Sequence, residues 1–223
     1  MKKLKITTLL FCLILVINSC GIEKEDKPET QPAVDSVIVT TLEEVTIGNQ
    51  VWTSKNLDVS TYRNGDDIPQ VQGQEEWENL TTGAWCYYEN KTGNGNTYGK
   101  LYNWYAVNDW RGLAPIGYHI PSDAEWTILT TYLGTDAAAK MKSTTGCNED
   151  GNGNNTSGFA GLPGGFRSLN GGFFNIGANG TWWSSSEGNT VTAWCRSLDS
   201  NNGNVDRVNF IKQDGFSVRC LRD

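Results

Sequence analysis

Alternation dominates the C-terminal third of the chain. Thr181 to Ser185, Val191 to Leu198, Asn204 to Ile211 and Gly215 to Leu221 are short runs in which apolar and polar residues take turns, the pattern of strands with two unlike faces. Asn201-Asn202-Gly203 and Gln213-Asp214-Gly215 separate them with turn residues, so strands are expected near 181–185, 191–198, 204–211 and 215–221 as an antiparallel meander. In the last run Phe216, Val218 and Cys220 fall on one face, since successive strand side chains point to opposite sides. Near the start, Val45-Thr46-Ile47 and Gln50-Val51-Trp52 flank Gly48-Asn49 and read as a hairpin.

Helical spacing appears in between. Ser122-Asp123-Ala124-Glu125 is a capping box, and Trp126, Leu129 and Leu133 follow at i, i+3 and i+7 before Gly134 stops the run. Thr135 or Asp136 then caps a short helix through Ala137-Ala138-Ala139-Lys140-Met141-Lys142. Leu101, Trp104, Tyr105 and Asn108 also recur at helical spacing, and residues 98–107 read as helix although their aromatics would suit a strand. Asp58 to Leu80 is polar and reads as loop, with Glu75, Glu76 and Glu78 a solvated face around Trp77. Residues 143–180 read mostly as loop. Helices first and a meander last make an α+β fold, loop-rich, with two short helices (122–133 and 137–142) and a C-terminal antiparallel β-meander.

The first 19 residues are a leader. Lys2, Lys3 and Lys5 precede an apolar stretch from Thr7 to Ile17, too short to cross a hydrocarbon core of about 30 Å as a helix. It ends at Ile17-Asn18-Ser19-Cys20 and resembles a bacterial lipoprotein signal, which implies a lipid on Cys20. Residues 20–42 are charged and proline-bearing, a composition that cannot bury enough apolar surface to order itself, and are expected to be a disordered tether. The acidic run after Cys20 resembles the surface-export signal of Bacteroidetes lipoproteins, and Asp35-Ser36-Val37 resembles the O-glycosylation sequon of the same bacteria, marking Ser36. The expected address is the outer membrane, lipid-anchored and surface-exposed. Without the leader, 15 basic residues face 25 acidic ones, a net charge of −10. That balance argues against nucleic acid as a partner.

Residues 43–223 remain as one domain. Gly215-Phe216-Ser217-Val218-Arg219-Cys220-Leu221-Arg222, Gly117-Tyr118-His119-Ile120-Pro121-Ser122-Asp123-Ala124-Glu125-Trp126 and Trp182-Trp183-Ser184-Ser185-Ser186 together resemble the Fibrobacter succinogenes major paralogous domain family. The resemblance implies a C-type-lectin-like fold whose last strand returns beside the first. It implies no assigned activity.

Beyond the leader and anchor, Cys86, Cys147, Cys195 and Cys220 remain. Four cysteines allow three disulfide connectivities. The family usually carries cysteine at the positions of Cys86 and Cys220, so the resemblance implies Cys86–Cys220 and leaves Cys147–Cys195. Zinc has little support, since no CxxC pair occurs and His119 is the only histidine.

Nine tryptophans invite a sugar-stacking role. Most sit in periodic runs and read as core. Trp77 and Trp110 sit in polar loops, and strand alternation turns Trp183 away from Trp182, so these three are the candidate ligand-binding aromatics. Asp150, Asn152 and Asn154 place oxygens at alternate positions, a spacing used by calcium loops. Position 155 is Asn and position 161 Gly, where a full loop has Gly and Glu. Calcium is therefore the only cofactor suggested. His119 reads as structural. The expected function is non-catalytic binding of a glycan or protein at the cell surface. The alternative is an oxidoreductase resembling formylglycine-generating enzymes, which share the fold and use a cysteine pair with copper; its only support here is the Gly-Phe-x-x-Arg-Cys ending.

Overall fold

The computed structural model describes residues 42–223. The leader, Cys20, the tether before residue 42 and Ser36 lie outside the described residues. The chain opens with strands β1 (Glu44–Ile47) and β2 (Gln50–Thr53), the predicted hairpin, turned at Gly48 with φ 61°. Then come α1 (Gln74–Glu78), β3 (Trp85–Cys86), α2 (Thr92–Tyr98), β4 (Leu101–Tyr102), α3 (Trp104–Val107) and β5 (Tyr118–His119). Helices α4 (Asp123–Leu133) and α5 (Ala137–Met141) precede strands β6 (Gly164–Arg167), β7 (Phe173–Ile176), β8 (Asn179–Glu187), β9 (Thr192–Asp199), β10 (Val205–Ile211) and β11 (Leu221–Arg222). The architecture is α+β, with few short helices and mostly antiparallel sheets.

One sheet has the order β1-β2-β11-β5. Leu221 pairs with both Trp52 and His119, so the end of the domain is stitched between its first hairpin and the strand that feeds α4. The second sheet has the order β10-β9-β8-β6-β7, and β3 and β4 form a small third one. The meander β8-β9-β10 is antiparallel, as its alternation predicts. The capping box of α4 is formed. Ser122 Oγ accepts from the Glu125 amide at 3.3 Å, and the Glu125 carboxylate accepts from the Ser122 amide at 2.7 Å.

Several expectations are corrected. Residues 98–107 are not one helix. Gly99 at φ 73° ends α2, Leu101–Tyr102 joins β3, and only Trp104–Val107 is helical, with Asn103 Oδ1 accepting from the Ala106 amide at 3.1 Å. The 58–80 loop contains α1. The 143–180 segment contains β6 and β7, and β6 reaches β8 through a parallel pairing of Gly165 with Gly180. A Cβ at either glycine would meet backbone within 2.6 Å, so the pairing needs two residues that strand propensity disfavours. Within 215–221 only Leu221 lies in a named strand; Phe216 and Ser217 make single bridges to Tyr102 and Trp182. Phe216, Val218 and Cys220 are buried as expected, yet so are Ser217 and Arg219, because protein surrounds the segment on all sides.

The predicted disulfides are not formed. All four cysteines are free thiols. Cys86 packs with Val71, Trp77, Ala84, Tyr88 and Leu101, whereas Cys220 belongs to a separate cluster with Trp104, Trp183 and Val218. Cys195 is buried in that second cluster, while Cys147 is only half-buried on its loop.

Candidate functional site

The fold separates the three candidate tryptophans. Trp183 is fully buried, which corrects the expectation of exposure. Alternation does put Trp182 and Trp183 in different clusters, but both faces of β8 are covered. Trp183 Nε1 donates to Tyr102 O at 2.9 Å and its ring lies 4.4 Å from that of Phe216. Trp77 is also fully buried, a second correction. Its Nε1 donates to Gln213 O at 3.0 Å and the Arg167 guanidinium sits 4.4 Å over its ring. The surrounding polar residues of α1 face solvent while this one side chain turns inward.

Trp110 is the opposite case, 88% exposed. The turn that carries it is held from both sides. The Asn108 amide donates to Trp104 O at 3.0 Å, closing α3, and the Gly112 amide donates to Asp109 O at 2.9 Å with Gly112 at φ 79°. Arg111 grips Asp109 through a two-pronged fork, Nε to Oδ1 at 2.8 Å and Nη2 to Oδ2 at 2.9 Å. The same guanidinium lies 4.0 Å over the Tyr62 ring. Its hydrogen bonds hold the Asp109 carboxyl below the usual carboxylate range. Arg63 fixes the far side, with Nε on Ala114 O at 3.0 Å and Nη2 on Tyr118 O at 2.8 Å. The indole is thus presented on a braced turn with nothing packed over it.

The suggested calcium oxygens do not converge. Asn152 Oδ1 accepts from the Cys147 amide at 2.9 Å, and Asn154 Oδ1 accepts from the Thr156 amide at 3.1 Å and its hydroxyl at 3.0 Å. Glu149 and Asp150 adopt φ 50° and 60°, which breaks the regular spacing. The amides therefore brace their own loop. Among the described residues no group of three or more His, Cys, Asp or Glu is placed to hold a metal.

His119 has both ring nitrogens engaged, Nδ1 with Asp223 Oδ1 at 2.7 Å and Nε2 with Glu125 Oε1 at 2.9 Å. Burial lowers its pKa, but the bonds to Asp223 and Glu125 outweigh it and raise the imidazole above its ordinary value. The ring ties the chain end to α4 and leaves no nitrogen for proton transfer. Burial pushes the thiols of Cys86 and Cys220 up to about 12, far from the thiolate a nucleophile needs.

A cleft of about 510 Å³ was not visible in the sequence. It lies among residues 54–58, 95–99, 143–145 and 160–162, with Arg219 in its lining. Glu43 completes the lining, so six stretches far apart in the chain build it. The one sequence signal was a cation, Arg219, inside an apolar run.

A family model described as Fibrobacter succinogenes major domain matches residues 45–222. Comparison with curated proteins and with solved structures gives no match.

Proposed function

The chain belongs to the Fibrobacter succinogenes major domain family, and from that premise we propose that it is a non-catalytic binding domain that takes up glycan at the cell surface through Trp110. One observation carries the reading, a tryptophan 88% exposed on a turn fixed by the Asp109–Arg111 fork and by Arg63. Large exposed aromatics on rigid supports bind with little loss of side-chain freedom, and an indole face packs against the C–H face of a sugar ring. Asp109, Arg111 and Asn108 supply polar neighbours for hydroxyl groups. A C-type-lectin-like fold agrees with the closure of β11 beside β2. The leader that ends just before Cys20 supports lipid anchoring in the outer membrane.

The test is a glycan-array screen, with and without calcium, of the domain and of its Trp110→Ala variant. Selective binding that the variant loses supports the reading, and equal binding by both overturns the role of Trp110. Cys20→Ala tests the anchor separately; unchanged membrane partitioning and mass would remove it.

A protein partner is the second reading. It is favoured by the partly exposed Phe174 and Phe210, whose rings lie 5.7 and 6.5 Å from that of Phe166 and so form an apolar surface.

A further inference from the structure

We propose that the cleft beside Arg219 is a second binding site, independent of Trp110, and that it takes a polyhydroxyl ligand carrying a carboxylate, such as a uronic acid residue of an acidic glycan. Its volume, about 510 Å³, falls in the range that small-molecule sites occupy. Asn96, Thr97 and Thr145 are exposed along it, and their side chains make no hydrogen bond to other described residues. Amide and hydroxyl groups of this kind both donate and accept, as sugar hydroxyls require.

Charge distinguishes this lining. Lys55 is balanced by Glu43 at 2.6 Å, and Asp58 is balanced by Lys100 at 2.7 Å. Arg219 has no carboxylate within ion-pair distance among the described residues, although it is 99% buried by its 1% exposure. Its Nε donates to Asn56 Oδ1 at 2.7 Å, Nη1 to Thr53 O at 2.7 Å and Nη2 to Ala160 O at 3.1 Å. A guanidinium has five N–H groups, so these bonds leave two without an acceptor. Asn56 cannot turn away to serve a ligand, because its Oδ1 also accepts from Trp182 Nε1 at 2.8 Å while Nδ2 donates to Tyr98 O and Ser217 Oγ.

The other buried arginines are completed within the fold. Arg196 bonds Asp123 at 2.7 Å. Arg167 donates to four backbone carbonyls and is sandwiched by the rings of Trp77 and Phe173, and it lines no cavity described above. Among the buried arginines of the described residues, Arg219 alone combines a missing counter-charge, spare N–H groups and a position in the lining of this cleft. Burial accordingly pulls it down to about 9, the direction expected of a desolvated cation lacking an anion. A ligand carboxylate would supply that anion, in a region where low dielectric makes charge-assisted bonds strong.

The test uses the full-length protein in detergent. It is titrated with tetragalacturonic acid, with the fully methyl-esterified tetramer and with acetate. The acid is expected to bind at least about tenfold more tightly than the ester, with an advantage that shrinks as salt rises from about 50 mM to about 500 mM. The ¹⁵N resonance of Arg219 Nε should move with the acid and stay still with the ester. Trp110→Ala should leave this binding intact, whereas Asn96→Ala with Thr145→Val should weaken it about tenfold. Because Arg219→Met would take a donor away from the acceptors on Asn56, Thr53 and Ala160, the resonance of the native protein supplies the direct readout. Equal affinity for acid and ester, acid binding without an Arg219 shift, acetate binding as tight as the tetramer, or no binding at all would each overturn the proposal. The last outcome leaves the Trp110 reading standing, since the glycan array tests that separately.

Discussion

Strand β8 and the turn after α3 each display tryptophan, and the fold treats them in opposite ways. On β8, Trp182 and Trp183 point to opposite faces and both are fully buried. Trp182 joins Trp52, Trp126, Leu129 and Phe159 in the cluster under α4. Trp183 joins Trp104, Phe216 and Val218 in the cluster beneath α3 and the chain end. On the turn, Trp110 has neither neighbour nor cover. Alternation along a strand decides which side a residue takes, but not whether that side is wet. A sheet packed on both faces buries both sides, as sheets sandwiched between layers do. Exposure at Trp110 has a different origin. The turn spends its polar groups on bracing itself, through Asp109, Arg111 and Gly112, and none of its interactions draws the indole inward.

The largest test of this contrast is Trp183→Ala. It removes a fully buried indole and one of the two donors to Tyr102 O, leaving the Phe216 amide at 3.0 Å. The expected loss is about 3–5 kcal/mol, a large share of the roughly 5–15 kcal/mol that holds a typical domain. Chemical denaturation measures it. A loss below about 1 kcal/mol would mean that the covered face of β8 is not covered in solution.

A second effect sits where the chain turns from β10 into the covering segment. Asp214 is buried, and its Oδ1 accepts from the Leu169 amide at 2.7 Å. No cation lies within ion-pair distance of it among the described residues. Burial pushes its carboxyl up to about 6, against the lowering effect of backbone donors. A carboxyl whose folded pKa is raised favours the protonated fold, so its contribution is fully present below about pH 4 and is lost as pH rises through about 6. Asp214→Asn cannot ionise and keeps the acceptor. It should match the native protein near pH 4 and exceed it above pH 6 by on the order of 2 kcal/mol. Parallel stability curves from pH 4 to 8 would remove Asp214 as a buried charge.

Ser122→Ala removes the cap of α4, which brings Trp126 to within 4.7 Å of Trp52. About 1 kcal/mol is expected, seen as a drop of a few degrees in Tm. No change would show that Glu125, held also by His119, secures the helix start unaided.

What could be read from the sequence was local. The capping box at Ser122, the Gly48 hairpin and the meander strands each depend on residues within a few positions of one another. What could not be read depends on partners far along the chain. Gly165 meets Gly180 in parallel, a pairing that neither strand propensity nor alternation announces. Cys86 and Cys220 occupy different clusters, so their even count and family positions do not become a bridge. The loop at Asp150 had calcium-like spacing, but spacing does not say whether Asn152 and Asn154 point at an ion or at their own backbone. Trp110 was legible as a candidate because its neighbours are polar. Trp77 had the same local signature and was misread, since only the position of Gln213 and Arg167 places it inside. The cleft beside Arg219 draws on residues 54–58, 95–99, 143–145 and 160–162 and had no local signature except its cation.

The smallest stability effect belongs to Trp110→Ala, and that smallness is the point of the comparison. The side chain buries almost nothing, being 88% exposed, so its removal forfeits little transfer free energy and opens no cavity. The Asp109–Arg111 fork, the Gly112 turn and the Arg63 brace do not involve the indole and should survive intact. Stability should stay within about 0.5 kcal/mol of the native protein, the range usual for surface substitutions away from special features. Glycan binding should fall at the same time by at least about tenfold, in line with base-stacking and other aromatic-platform losses of about 1–3 kcal/mol. Measured side by side, Trp183→Ala would lose stability and Trp110→Ala would lose binding. A large drop in Tm for Trp110→Ala would show that the indole is packed in solution. Unchanged binding together with unchanged Tm would leave the exposed tryptophan without a glycan role, and would direct attention to Phe166, Phe174 and Phe210 as a surface for a protein partner.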